Sequence, residues 1–100
     1  MVYKVRISAT TEEEAEDISD ELIDEKLVAG TFITSGQSRF HWKGEIHDEE
    51  YFNIQAYTTA GKKQELVYKV EEMHSDDAPI IELIEIKGND KFLEWVEDSL

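Results

Sequence analysis

The chain has 100 residues, 24 Asp and Glu against 10 Lys and Arg, and a formal net charge of −14. That length is one domain, and 40% hydrophobic residues are enough for a folded core. So acidic a surface repels nucleic-acid phosphates and anionic lipid, which excludes both as partners, and with no cysteine there are no disulfides, thiolate metal sites or cysteine nucleophiles.

From Val2 to Ala9 the residues alternate, with Tyr3, Val5, Ile7 and Ala9 on one face and Lys4, Arg6 and Ser8 on the other. Period two predicts a strand with one buried face. Thr11 followed by Glu14 fits a capping box, and the acids Glu12 to Glu14 suit the positive end of a helix. Ala15, Ile18, Leu22 and Ile23 then recur at helical spacing, so a helix is expected from Glu12 to Glu25.

Leu27 to Gly30 turns into a long extended region, Thr31 to Trp42, where Ser35-Gly36 suggests a bend or bulge. Lys43-Gly44 reads as a hairpin turn. Glu45 to Thr58 returns as a second long strand, and its acidic run Asp48-Glu49-Glu50 reads as solvated. A second helix is expected from Gly61 to Met73, with Leu66, Val67, Val70 and Met73 on its stripe. His74 to Ala78 is a polar loop, Pro79 precedes a strand over Ile80 to Lys87, and Gly88-Asn89 breaks into a terminal helix carrying Phe92, Leu93, Trp95 and Val96. This order, βαββαβ plus a short C-terminal helix, predicts an α+β ferredoxin-like plaited antiparallel sheet with a long central hairpin, in one domain over residues 1–100. A long hairpin leaves edges that must be covered or paired, and pairing with neighbouring subunits is a route to a ring.

Phe40-His41-Trp42-Lys43-Gly44-Glu45-Ile46 resembles the aromatic-x-Trp-x-Gly-Glu-Ile hairpin of the CutA divalent-cation tolerance family. Gly88-Asn89-Asp90-Lys91-Phe92-Leu93-Glu94-Trp95 resembles that family's C-terminal segment. Thr10 to Ala15, Glu25 to Ala29, and His74 with Pro79 fall in the same order. The resemblance implies a ferredoxin-like subunit, a homotrimer built by edge pairing of sheets, architectural similarity to PII signalling trimers, and a link to divalent metals, copper above all. The sequence departs from the family where its Ala-Cys-x-Asn segment reads Ala29-Gly30-Thr31-Phe32, where its His-Pro-Tyr-Glu-x-Pro loop reads His74-Ser75-Asp76-Asp77-Ala78-Pro79, and where its strand-end lysine is replaced at Tyr57. The inter-subunit pocket or interface that the resemblance implies would involve Gly30, His41, Trp42, Lys43, Glu45 and Tyr57.

His74 with Asp76 and Asp77 is the candidate metal set, because imidazole plus carboxylate suits copper, zinc or nickel. Against it stands a helix end followed by a solvated turn. His41 and His47 flank the hairpin turn, but a two-residue turn sets His41 opposite Ile46, so they are not a chelating pair. Trp42 suits packing against a partner subunit, Trp95 fits a helix's apolar stripe, and Lys43 and Glu45 suit surface or interface ion pairs. No catalytic constellation emerges: Gly61-Lys62 lacks the rest of a phosphate loop, and Ser35 and Ser38 lack a nucleophile-elbow context. The expected protein is not an enzyme. It is a cytoplasmic, trimeric divalent-cation tolerance protein that binds metal weakly or at a subunit interface. The alternative is a PII-like trimer with a small metabolite in its inter-subunit cleft and loops presented to a protein partner. The acidity itself suits solubility, high-salt adaptation or diffuse attraction of cations.

Overall fold

The structure, a computed structural model, describes all 100 residues. Strand β1 (Val2–Ala9) leads to α1 (Glu12–Asp24), then β2 (Thr31–Trp42) and β3 (Glu45–Thr59). A 3-10 turn (Ala60–Lys62) opens α2 (Lys63–Met73), followed by β4 (Ile81–Glu85) and α3 (Asp90–Ser99). The sheet is antiparallel throughout, in the order β2-β3-β1-β4, which is the expected α+β ferredoxin-like plait.

Alternation decides what each face of the sheet meets. Ile33, Ile54, Ile7 and Ile81 lie in one cross-strand row, and Ile7 and Ile54 are fully buried there with Leu22, Leu66 and Val70 of the helices. Burying such a side chain contributes roughly 1.5–3 kcal/mol, so this layer between the sheet and α1–α2 is the main source of stability. The opposite row, Phe32, Gln55, Arg6 and Glu82, faces away from α1 and α2. Only α3 covers part of that second face, seating a fully buried Val96 and setting Phe92 edge-on to Tyr57 with ring centroids 5.0 Å apart. Phe32 stays 64% exposed.

The helix caps follow the sequence with one shift. The Thr11 side chain accepts from the Glu14 backbone N–H, as a capping box requires. The return arm misses Thr11: Glu14 Oε1 takes the backbone N–H of Thr10 at 2.9 Å and its hydroxyl at 3.1 Å. The helix stops at Asp24, one residue short of expectation, with Glu25 as its C-cap. Lys69 of α2 reaches across to Glu21 at 3.6 Å and Glu25 at 3.5 Å, a partly exposed tie between α2 and the end of α1.

Two strand expectations need correction. Ser35-Gly36 is neither bend nor bulge: the β2–β3 register runs unbroken from Thr31 opposite Ala56 to Trp42 opposite Glu45, with Gly36 facing Tyr51. Continuous pairing on a long, regular partner strand holds Gly36 extended despite its conformational freedom. The last strand is shorter than Ile80 to Lys87, although Ser8 N–H to Ile80 O and Ile86 N–H to Val2 O continue its pairing with β1 at both ends.

The hairpin turn is as expected. Lys43 (φ 51°) and Gly44 (φ 80°) are both left-handed, the backbone of a two-residue type I′ turn, whose twist matches that of the flanking strands. His41 therefore faces Ile46, while His47 faces Phe40.

Candidate functional site

A cleft of about 380 Å³ opens between the outer half of the hairpin and the loop that joins α2 to β4. It brings together four residues singled out in the sequence: His41, Trp42, Asp76 and Asp77. His47, Glu49 and Tyr51 complete the hairpin wall. β3 places Tyr51, Glu49 and His47 on one face by alternation, the face that α1 and α2 leave open. Phe40 binds this wall together: its ring stacks on His47 at 5.3 Å and 9°, and meets Tyr51 edge-on at 5.5 Å.

His74 does not point into this cleft as a free ligand. Its side chain is fully buried. Nδ1 accepts the Asp76 backbone N–H at 3.0 Å, so the proton of the neutral ring lies on Nε2, which donates to the Ser8 carbonyl. Both ring nitrogens are thus engaged within the chain. Glu14 Oε1 lies 3.9 Å from Nε2, and Glu14 Oε2 accepts the Ser75 backbone N–H at 2.9 Å. Burial works to raise the Glu14 carboxyl, but the hydrogen bonds from Thr10 and Ser75 and the nearby His74 outweigh it and hold it below its ordinary value. His74 and Glu14 are clasps that fix the start of the loop to β1 and α1.

The rest of the loop is tied to the hairpin. The Tyr51 hydroxyl donates to Asp76 Oδ2 at 3.0 Å. Burial, with the Asp76 bond and negative charge around it, pushes the Tyr51 phenol up to about 12. Asp77 and Glu49 carry no ion pair. No three His, Asp or Glu side chains in the chain converge closely enough to hold a metal ion. The set His74, Asp76 and Asp77 is therefore not a chelating group within one chain: the histidine's lone pair is spent on the Asp76 N–H, and the two carboxylates do not meet a third ligand.

The remaining candidates divide by position along the hairpin. Lys43 and Glu45 sit at its tip, where Lys43 Nζ lies 5.6 Å from the centre of the Trp42 ring. Gly30 and Tyr57 sit at the other end. At roughly 3.3 Å per residue the two ends are on the order of 35 Å apart, within a molecule whose longest extent is 44 Å. One chain cannot make a single pocket of both sets. Gly30 instead packs under Trp95: a Cβ there would fall 2.9 Å from Trp95 Cη2. Trp95 is 47% exposed, so this end of α3 forms a half-open aromatic cluster with Phe92 and Tyr57, rather than a closed apolar stripe.

Tyr51, Glu49 and Glu14 are the site residues that sequence reasoning missed. Tyr51 and Glu49 share a face with His47, a two-residue periodicity present in the strand. The role of Glu14 in the loop depends on a contact spanning 61 positions and has no local signal.

The class is that of a βαββαβ plait whose long hairpin forms a cleft with the α2–β4 loop. The family model described as CutA1 divalent ion tolerance protein matches residues 3–99, and the chain belongs to that family. The divalent-cation tolerance protein CutA of Archaeoglobus fulgidus is 34% identical over 97 residues, covering 96% of this chain and 95% of that protein. Its Thermus thermophilus counterpart is 29% identical over 97 residues, covering 95% and 94%. Among solved structures, the A. fulgidus protein, described as a periplasmic divalent cation tolerance protein, superposes with a TM-score of 0.95 at 34% identity, covering 99% of this chain and 98% of that one. The divalent ion tolerance protein CutA1 of Ehrlichia chaffeensis gives 0.91 at 33% identity, covering 98% and 94%. No helix is long and apolar enough to cross a membrane.

Proposed function

We propose that this chain forms a homotrimer that acts in divalent-cation tolerance by binding, not by catalysis, and that a copper or zinc ion is held weakly where subunits meet. The observation that carries this reading is the division of the candidate residues between the two ends of the hairpin. Gly30 and Tyr57 lie too far from His41, Trp42, Lys43 and Glu45 to share a pocket except between copies. The exposed Phe32 side chain and the unpaired outer edge of β2 supply an apolar anchor and free backbone hydrogen-bonding groups for such a contact. Asp76 and Asp77 are the carboxylates offered to the ion, and the neighbouring copy completes the set.

Sedimentation at micromolar concentration tests the trimer, and a stable monomer overturns it. Calorimetric titration of Cu(II) and Zn(II) into metal-free protein tests the ion, beside Asp76→Asn and Asp77→Asn. Absence of saturable binding in the wild type, or binding untouched by both variants, removes the site. A His74→Ala arm separates ligation from support: its effect should be matched by Glu14→Gln if His74 acts by fixing the loop. A cytosolic address belongs to the same proposal. The A. fulgidus relative is described as periplasmic, and cell fractionation decides for this chain.

The second reading is a PII-like trimer that takes a small metabolite in its inter-subunit cleft and presents loops to a protein partner. A melting screen against nucleotides and metabolites distinguishes it: a stabilising metabolite with no metal response favours this reading.

A further inference from the structure

Within one chain, the cleft between the hairpin and the α2–β4 loop has a lining that does not hold a compact metal ion by itself but does match a larger cation. Three carboxylates, Glu49, Asp76 and Asp77, border it, and no lysine or arginine does. No three acidic or histidine side chains in the chain converge closely enough to hold a metal ion. A divalent metal ion needs its ligands at about 2.0–2.6 Å, which these carboxylates do not supply within one chain. A cation several ångströms across, with its charge spread over methyl groups or a guanidinium plane, meets them without convergence.

The aromatic side chains give the same answer by a separate route. Phe40, Trp42, His47 and Tyr51 make up much of the hairpin wall. Ring faces attract soft cations through their quadrupole, within about 6 Å of the centroid. An anion would meet three carboxylates with no lysine or arginine in the lining to offset them.

The wall is also held in advance. Tyr51 ties Asp76 to β3, Phe40 stacks on His47, and Glu14 and His74 fix the loop's first residues. Little ordering is left to be done when a ligand enters. The volume, about 380 Å³, is at the lower end of the roughly 300–1,000 Å³ typical of small-molecule sites.

We propose that this cleft is a binding site for a small organic cation, an alkylammonium or guanidinium compound, held by aromatic faces and by Glu49, Asp76 and Asp77. This inference does not rest on the metal reading and survives its failure.

The test follows the Trp42 indole N–H and the His47 ring protons by NMR while tetramethylammonium chloride is added to the protein, with sodium chloride at equal ionic strength as the charge-only control. The expected result is a saturating shift with tetramethylammonium, half-complete at about millimolar concentration, and only a small linear drift with sodium. Trp42→Leu and Asp77→Asn both change exposed side chains and should leave the fold intact. Each should weaken the response by about fivefold or more. Equal behaviour of the two salts, a linear response, or saturation unchanged by both variants overturns the proposal. Saturable Cu(II) or Zn(II) binding alongside any of these results leaves the metal reading standing and removes this one alone.

Discussion

The Tyr51 hydroxyl hydrogen-bonds Asp76 at 3.0 Å, joining the middle of the longest strand to the loop that follows α2. The phenol donates only while protonated, and an anion beside Asp76 would be repelled. Burial first, then the Asp76 bond and the negative charge around it, raise its folded value to about 12 from 10.0, so the native state is favoured while the phenol stays protonated. The contribution is complete below the unfolded value and is lost as pH rises through the folded one. Tyrosinate absorbance of the wild type should therefore include a component that ionises near 12, and Tyr51→Phe should remove it. A titration unaltered by Tyr51→Phe would show that the phenol is not so held.

Glu14 governs the acid side. Its folded value lies below 4.5, so its stabilising bonds to Thr10 and Ser75 are present above that unfolded value and are lost as pH falls through the folded one. Glu14→Gln should cost about 1–2 kcal/mol at neutral pH, the range for hydrogen bonds to a charged group and for a helix cap. The gap between variant and wild type should narrow below about pH 4. Denaturant unfolding of both proteins across the acid range measures it, and a gap independent of pH would assign the loss to packing instead of charge.

Periodic features were legible in the sequence because they are local. Alternation from Val2 to Ala9, helical spacing from Ala15 to Leu22 and the left-handed pair Lys43-Gly44 each specify backbone geometry from neighbouring residues alone. Gly36 was misread because glycine permits a bulge without requiring one, and the unbroken partner strand decides. The site was half legible. His41, Trp42, Asp76 and Asp77 do meet in one cleft. The bonding of His74 was not legible, since its partners Ser8 and Glu14 lie far along the chain. Nor could spacing show that Gly30 lies under Trp95 instead of beside the hairpin tip.

Gly30 leaves little room for a side chain beside Trp95. A Cβ added there meets Trp95 Cη2 at 2.9 Å, and the indole end must move. Gly30→Ala should destabilise by about 1 kcal/mol, the low end for overpacking, because Trp95 is half exposed and can tilt away. Trp95→Ala removes the obstacle, so Gly30→Ala in that background should cost markedly less. Additive effects in the double-mutant cycle would mean the two residues do not touch.

Phe32 bears on assembly. It is 64% exposed on the sheet face opposite α1 and α2, beside the unpaired edge of β2. A large apolar side chain so placed is suited to burial against a neighbouring copy. Phe32→Glu should leave the secondary structure unchanged by circular dichroism while shifting sedimentation from trimer towards monomer. A trimer as stable as wild type would place Phe32 outside the interface.

The hairpin tip offers the cleanest stability gain. Lys43 holds a left-handed φ of 51°, which costs a residue with a Cβ about 1–2 kcal/mol relative to its preferred region. Asparagine tolerates that conformation better, and Asn-Gly is the preferred pair for a type I′ turn. Lys43→Asn should therefore raise stability by about 0.5–1 kcal/mol, even though it gives up the contact between the Lys43 ammonium and the Trp42 ring. Gly44→Ala, at φ 80°, should go the other way by a similar or larger amount. Opposite signs for the two variants in thermal melts require that both turn positions be left-handed in solution. A loss of stability in Lys43→Asn would show instead that the Lys43–Trp42 contact outweighs the backbone strain.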